Sequence, residues 1–273
     1  MIRTFEEIYN LASGRPAVNL AIINPQKDYL FKAISIAEKK GWIKPILVNH
    51  DNDNVAAETA VAMVRDGKAD LLMKGDVSSD IILSAVLNRD HGLRTGKRLS
   101  HTAVLESPVY DRLMLMTDGG VNPELDETIL SSIIQNSVEI AGKLMNPHPN
   151  VAMLSLIEKI NPNVPETVIM GEMAKKYKNS NSFTIEGPIS IDVAVSSRNA
   201  ETKKIDSEIS GKTDIFIGPN ITSINFMVKA LLGMGGAKGG GIITGAKVPI
   251  ILLSRSDLMD TKLNSIALGI VNL

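Results

Sequence analysis

The stretch PIILLSRSDLMDTKLNSIA, residues 249–267, opens as an apolar run, breaks at once into Ser254, Arg255, Ser256 and Asp257, and then takes up a helical pattern. A short continuous run of Ile and Leu bounded by polar residues reads as a strand buried on both faces, and such strands belong to parallel sheets covered by helices. The same alternation recurs along the chain. Strands are expected over 17–23, 45–49, 69–73, 101–106, 113–117, 151–155, 183–185, 214–217, 240–244 and 249–253. Helices are expected over 26–40, 55–67, 78–89, 124–144, 165–177, 221–233 and 258–270. This order places the chain in the α/β class. Most strand candidates give way to Gly, Asn, Asp, Ser or Lys, and in open α/β sheets ligands sit beyond that carboxyl edge.

With 273 residues, 44% hydrophobic and 22% charged, the chain can bury a sizeable core as one large domain or two small ones. A formal net charge of −1 supplies no long-range attraction to nucleic acid or to an anionic membrane, so anion binding has to come from locally placed groups. The absence of cysteine excludes disulfides, thiolate metal sites and a cysteine nucleophile, and it fits a reducing compartment. The first residues, MIRTFEEIYN, are acidic where a signal peptide would be basic and then apolar, and no run approaches 18 apolar residues. A cytoplasmic protein is expected. No His, Asp or Glu grouping has metal-ligand spacing, so no metal site is expected.

Three strand ends and one turn carry the chemistry. Ser254 and Arg255 place a hydroxyl and a guanidinium before a helix start, where free N–H groups also point, a combination suited to a phosphate or a developing oxyanion. The competing reading is an ordinary helix cap beside a solvated arginine. LMKGDVSS, residues 72–79, puts Lys74 and Gly75 at a second anion-friendly mouth, with Ser78 and Ser79 ahead of a helix. LRTGKRLSH, residues 93–101, gathers Arg94, Lys97 and Arg98 around a glycine turn, and MTDGGVNP, residues 116–123, ends a strand in Asp118-Gly119-Gly120. Solvated basic faces and tight Asp-Gly turns look the same. The run GMGGAKGGG, residues 233–241, holds six glycines and reads either as a flexible turn or as a phosphate cradle, although it lacks the order of a nucleotide-binding loop.

Taken in order, GLRTGKRLSHTAV, TDGGVNP, VAMLS, EGPISID and GAKVPIILLSRSD…KLNSIA resemble the phosphate acetyl- and butyryltransferase family, the butyryltransferase branch most closely, over about residues 17–273. The resemblance implies a two-domain isocitrate/isopropylmalate dehydrogenase-like fold with an interdomain cleft. One discontinuous α/β domain would comprise 1–106 and 238–273, and a second 107–237. It also implies reversible transfer of a short-chain acyl group between coenzyme A and inorganic phosphate, without a tightly bound cofactor, in a homodimer or larger homo-oligomer. Acyl-coenzyme A, phosphate and acyl phosphate are the partners it implies, with no nucleic acid and no membrane.

Residue by residue, the resemblance gives Arg255 the phosphoryl oxygens and Ser254 the reacting sulfur or carbonyl oxygen. Asp260 takes the thiol proton, although an alignment without a gap would put that acid at Thr261. Coenzyme A needs such a base, because a thiol with a pKa near 8.5 is only a few per cent thiolate at pH 7. Asp192 matches an acid facing the cleft, and Asn225 and Lys229 match an asparagine and a lysine of a ligand loop. Lys74, Gly75, Arg94, Arg98 and Asp118 complete the expected substrate contacts. Two departures stand out in GPNITSINFMVK, residues 218–229: Asn220 replaces an acid and Ile224 a glycine. They leave room for a non-catalytic coenzyme- or metabolite-binding homologue. A metal-dependent decarboxylating dehydrogenase is the other alternative.

Overall fold

The structure, a computed structural model, describes residues 2–254 and 257–273. Its strands are β1 (Val18–Ile23), β2 (Ile43–Val48), β3 (Leu71–Lys74), β4 (Ser100–Glu106), β5 (Leu113–Thr117), β6 (Asn150–Leu154), β7 (Thr184–Ile189), β8 (Ile215–Ile217), β9 (Lys238–Thr244) and β10 (Ile250–Ile251). Its helices are α1 (Phe5–Ser13), α2 (Asp28–Lys39), α3 (Asp53–Arg65), α4 (Ser79–Val86), α5 (Glu127–Leu144), α6 (Pro165–Tyr177), α7 (Ile191–Ala194), α8 (Ser197–Lys203), α9 (Ile221–Gly233) and α10 (Met259–Val271). The elements fall into two compact units. One holds Phe5–Leu99 and Gly239–Leu273; the other holds Ser100–Lys238 and the amino-terminal residues up to Thr4.

In the first unit the strand order is β2-β1-β3-β10-β9, parallel throughout except that β9 runs antiparallel to β10. All four residues of β3 and the last four of β1 are buried, which is why these strands read as unbroken apolar runs. In the second unit the order is β4-β5-β8-β6-β7, with β4 antiparallel to β5 and the rest parallel. Phe216 of β8, Met116 of β5 and Ile224 of α9 sit in its core.

Every expected strand is present, with its ends shifted by a few residues; β7 runs on through Pro188 to Ile189, which its place at the sheet edge permits. Helix α5 begins at Glu127 because the Asp126 carboxylate accepts the Ile129 N–H at 2.7 Å. Three helices had no counterpart in the sequence reading. Helices α7 and α8 have four and seven residues, too few to display a helical period. Helix α1 does display one, through buried Phe5, Ile8 and Ala12.

The second half of the glycine-rich run is strand and not a flexible turn. Residues 239–241 lie inside β9, where α10 packs directly on them: a Cβ on Gly240 would stand 2.9 Å from the Asn264 Cβ and 3.0 Å from a Leu268 methyl. Asn264 donates to the Gly239 carbonyl at 2.8 Å, and the Ser265 hydroxyl accepts the Gly241 N–H at 2.9 Å.

In the second unit Asp214, fully buried, accepts from Arg112 at 2.8 Å, from the Asn150 N–H at 3.0 Å and from the Asn146 amide at 3.2 Å. This carboxylate ties the start of β8 to β6 and to the segment before β5. Arg112→Met strands it without its cation, and urea denaturation should register a loss of about 3–5 kcal/mol.

Candidate active site

Strands β3 and β10 are parallel neighbours, with Leu72 opposite Ile250 and Met73 opposite Ile251, so the residues that follow them leave the sheet at one edge. Lys74 and Gly75 come from one strand, and Leu253 and Ser254 from the other. Lys74 is only 8% exposed, and its Nζ donates to the Leu253 carbonyl at 3.1 Å and the Ser79 hydroxyl at 3.3 Å. From α10, Lys262, 4% exposed, donates to the carbonyls of Ser254 at 3.3 Å and Asp257 at 3.1 Å, with its ammonium 4.8 Å above the Tyr29 ring. The Asp257 carboxylate accepts the Ser254 N–H at 2.7 Å, and the Asp257 N–H returns to the Ser254 carbonyl at 3.2 Å.

Ser254 and Asp260 are exposed beside these buried groups, Asp260 in the first turn of α10. Arg255, expected to hold phosphate, lies outside the described residues. Tyr29, Lys74, Asp76, Ser254 and Lys262 line one recess. Its electrostatics are mixed: the ammonium groups of Lys74 and Lys262 face the carboxylates of Asp76 and Asp257. Burial pushes the Lys262 pKa down; Asp257 opposes the shift, Lys74 adds to it, and Asp76 opposes it. Asp76 is occupied in part by the N–H groups of Gln26 at 2.8 Å and Lys27 at 3.2 Å, ahead of α2.

Arg94 and Arg98 are exposed on the segment between α4 and β4. That segment is fastened to the 245–247 turn by the Thr95 hydroxyl on the Gly245 carbonyl at 2.5 Å, by the Lys247 N–H on the Leu93 carbonyl at 2.9 Å, and by a β-bridge between Arg94 and Ala246.

In the other unit Asp118, 2% exposed, organises the turn that contains Gly119 and Gly120. Its carboxylate accepts the N–H groups of His101, Gly120, Val121 and Asn122 and the Asn122 side-chain amide, at 2.6–3.2 Å. Asn225 of α9 donates to the Gly119 carbonyl at 2.9 Å and so braces the same turn. Asn220 caps α9 by accepting the Ser223 N–H at 2.9 Å, and Ile224 is fully buried against Gly218. Lys229 is exposed.

Asp192 belongs to a separate cluster. It accepts from the Ser190 hydroxyl at 2.6 Å and pairs with Lys203 at 3.0 Å, and Lys203 also holds Glu158 at 2.9 Å. The Ser190 hydrogen bond, with Lys203 next, keeps the Asp192 carboxyl below the usual carboxylate range. Sequence reasoning missed Lys262 and Tyr29. The signal for Lys262 was present: a lysine four residues before Ile266 and eight before Ile270 stands on the apolar face of its helix.

The phosphate acetyl/butaryl transferase family matches residues 8–270. The phosphate butyryltransferase of Clostridium acetobutylicum is 36% identical, over 98% of either chain. Among solved structures, a branched-chain phosphotransacylase from Enterococcus faecalis V583 superposes with a TM-score of 0.87 at 29% identity, covering 93% of this chain and 98% of that one. The chain belongs to the phosphate acetyl/butyryl transferase family. It is a phosphate acyltransferase, moving an acyl group reversibly between coenzyme A and phosphate.

The fold expectation needs one correction. The class is α/β, but the solved structures that superpose are phosphotransacylases and, more distantly, a putative 4-hydroxythreonine-4-phosphate dehydrogenase from Salmonella typhimurium, with a TM-score of 0.54 at 10% identity over 98% of this chain and 87% of that one. The isocitrate/isopropylmalate dehydrogenase-like fold with its interdomain cleft is therefore replaced by the phosphotransacylase fold. Strand-helix alternation dictates helices covering a largely parallel sheet, and it leaves strand order open.

At Gly75 the backbone crosses the end of β1 with no room to spare: a Cβ would lie 2.1 Å from the Ile23 carbonyl oxygen and 2.8 Å from that of Asn24. Neither obstacle is a movable side-chain end. Gly75→Ala should cost at least about 1–3 kcal/mol in chemical denaturation.

Proposed function

We propose that the transferred group is butyryl or an acyl chain close to it in size, passed by direct attack in a ternary complex. The coenzyme A thiolate attacks the carbonyl carbon of the acyl phosphate. The C–S bond forms, the bond from carbon to the phosphate oxygen breaks, and phosphate leaves with the electron pair. In the reverse direction a phosphate oxygen attacks the thioester. Arg255 holds the phosphoryl oxygens, Ser254 meets the charge that develops on sulfur or on the carbonyl oxygen, and Asp260 receives the thiol proton. No tightly bound cofactor and no divalent ion enter this scheme.

The observation that carries the reading is the joint ending of β3 and β10. It sets exposed Ser254 one residue beyond the carbonyl that buried Lys74 grips, and the two residues line one recess. Arg94 and Arg98 supply exposed cations for the anionic coenzyme. Asp118 and Asn225 act through the shape of the Gly119-Gly120 turn, and Asp192 acts through its ion pair with Lys203. The enzyme works in the cytoplasm as a homodimer or larger homo-oligomer. In support of assembly, Phe226 on α9 is 69% exposed and Met234, just after that helix, is 85% exposed.

The acyl preference is read directly by phosphate-dependent release of coenzyme A from its acetyl, propionyl, butyryl and isobutyryl thioesters, with the four-carbon substrates expected to lead. A preference for acetyl would overturn the assignment of chain length. Arg255→Gln should reduce kcat/KM for phosphate about 10²–10³-fold and leave the KM for the thioester nearly unchanged.

The two aspartates of the loop should separate. Asp257→Asn keeps an acceptor for the Ser254 N–H and should remain within about tenfold of wild type. Asp260→Asn should lose roughly 10²–10⁴-fold in turnover and regain part of it as pH rises toward the thiol's own pKa near 8.5, where hydroxide makes the thiolate. Turnover of both variants between pH 6 and 9 checks this. A folded Asp260→Asn variant with full activity, or with the same deficit at every pH, would remove Asp260 from the role of base.

A further inference from the structure

The loop that joins β10 to α10 has its main chain held by two buried lysines. A strand-to-helix loop ordinarily offers its carbonyls to water. Here the carbonyl of Leu253 receives the Lys74 ammonium, and those of Ser254 and Asp257 receive the Lys262 ammonium. Removing an ammonium from water costs several kcal/mol unless its hydrogens are satisfied. Lys262 meets that cost with two carbonyls and the face of Tyr29, three directions for three N–H bonds. Its described hydrogen bonds therefore go to main chain, and the two carbonyls it holds stand immediately before and immediately after residues 255 and 256.

We infer that Lys262 is a positioning residue for acyl transfer, clamping the main chain on both sides of the dipeptide that carries the proposed phosphate contact; the inference rests on the assignment of that contact to Arg255. The charged groups facing its ammonium are Asp257 of the loop, Lys74 at the end of β3 and Asp76 ahead of α4. The two acids supply negative charge without taking the place of the carbonyls. Bonds from α10 to the carbonyls of Ser254 and Asp257, with the Ser254 N–H held by the Asp257 carboxylate, fasten both flanks of the dipeptide to the helix carrying Asp260. Misplacement of a binding group by about an ångström is enough to cost roughly 10²-fold in rate.

A lysine that only fills the core of α10 would act on stability and on both substrates alike, so the test is a double-mutant cycle. Steady-state kinetics are compared for wild type, Lys262→Met, Arg255→Gln and the double variant, with acyl-coenzyme A and phosphate varied in turn. Lys262→Met is expected to lower kcat/KM for phosphate roughly 10–100-fold with the KM for acyl-coenzyme A within about threefold of wild type, and to cost less than about threefold when added to Arg255→Gln. Equal losses in both backgrounds, or a loss shared evenly between the two substrates, would overturn the positioning role. If Lys262→Met does not fold, Lys262→Gln, which keeps a donor and removes the charge, is run through the same cycle under the same criteria. If Arg255→Gln is impaired while the folded Lys262 variant is not, the clamp alone fails. If Arg255→Gln is itself as active as wild type, the assignment of the phosphate contact fails and the clamp falls with it.

Discussion

Helix α10 can lie as close to the sheet as it does because β9 has no side chains at 239–241. Ten of its thirteen residues are buried, two of them, Asn264 and Ser265, through polar bonds to that glycine backbone. The Tyr9 hydroxyl on α1 also bonds the Asn264 side chain, so the same amide links helix, strand and amino-terminal helix. A single methyl at 240 would meet Asn264 and Leu268 at overpacked distances, which costs about 1–3 kcal/mol in a rigid core. The site inherits this constraint, because Asp260 and Lys262 stand on α10 and their height above the sheet is set by how near the helix comes.

The second consequence is electrostatic. Two buried lysines at one strand edge repel each other, and the shared positive charge is tolerable only because each ammonium is hydrogen-bonded and two aspartates lie nearby. The two ammonium groups and the two carboxylates balance in formal charge, and both lysines are buried. For the proposed phosphate contact, the held carbonyls of Leu253, Ser254 and Asp257 would keep main-chain reorganisation small.

Much of this was legible in the sequence, and the reasons for the rest are physical. The strands announced themselves because burial on both faces forces unbroken apolar runs such as LAII at 20–23 and LLM at 71–73. Lys74, Gly75 and Ser254 were legible as strand ends, since a charge or glycine beside such a run has nowhere else to be. Periodicity could not reveal what depends on contacts far apart in the chain. The closeness of Gly240 to Asn264 is one case. Another is Asp118, whose five donors come from His101 and from the turn itself, so a residue that looked free to meet substrate is spent on holding its own loop. Lys262 was hidden for the opposite reason. Its helical position was plain, but a lysine on an apolar face gains meaning only when the carbonyls that receive it are known.

The two departures from the family pattern can be weighed on the same terms. Asn220 stands where the resemblance implies an acid, yet the task observed for it is to accept the Ser223 N–H at the start of α9, and an amide oxygen caps a helix about as well as a carboxylate does. What is lost is a negative charge near a helix N-terminus, an effect of about 0.3–1 kcal/mol, not the helix itself. Ile224 is bulk added where a glycine is usual, and its neighbour across the gap is Gly218, where a Cβ would fall 2.2 Å from the Ile224 side chain. Volume placed on one side of this contact is met by a missing side chain on the other. The core of the unit stays filled, and the Asn225 amide next to Ile224 still reaches the Gly119 carbonyl. Both departures are therefore absorbed by local packing and capping within α9 and the turn it braces, in the unit that does not hold the proposed Ser254 site.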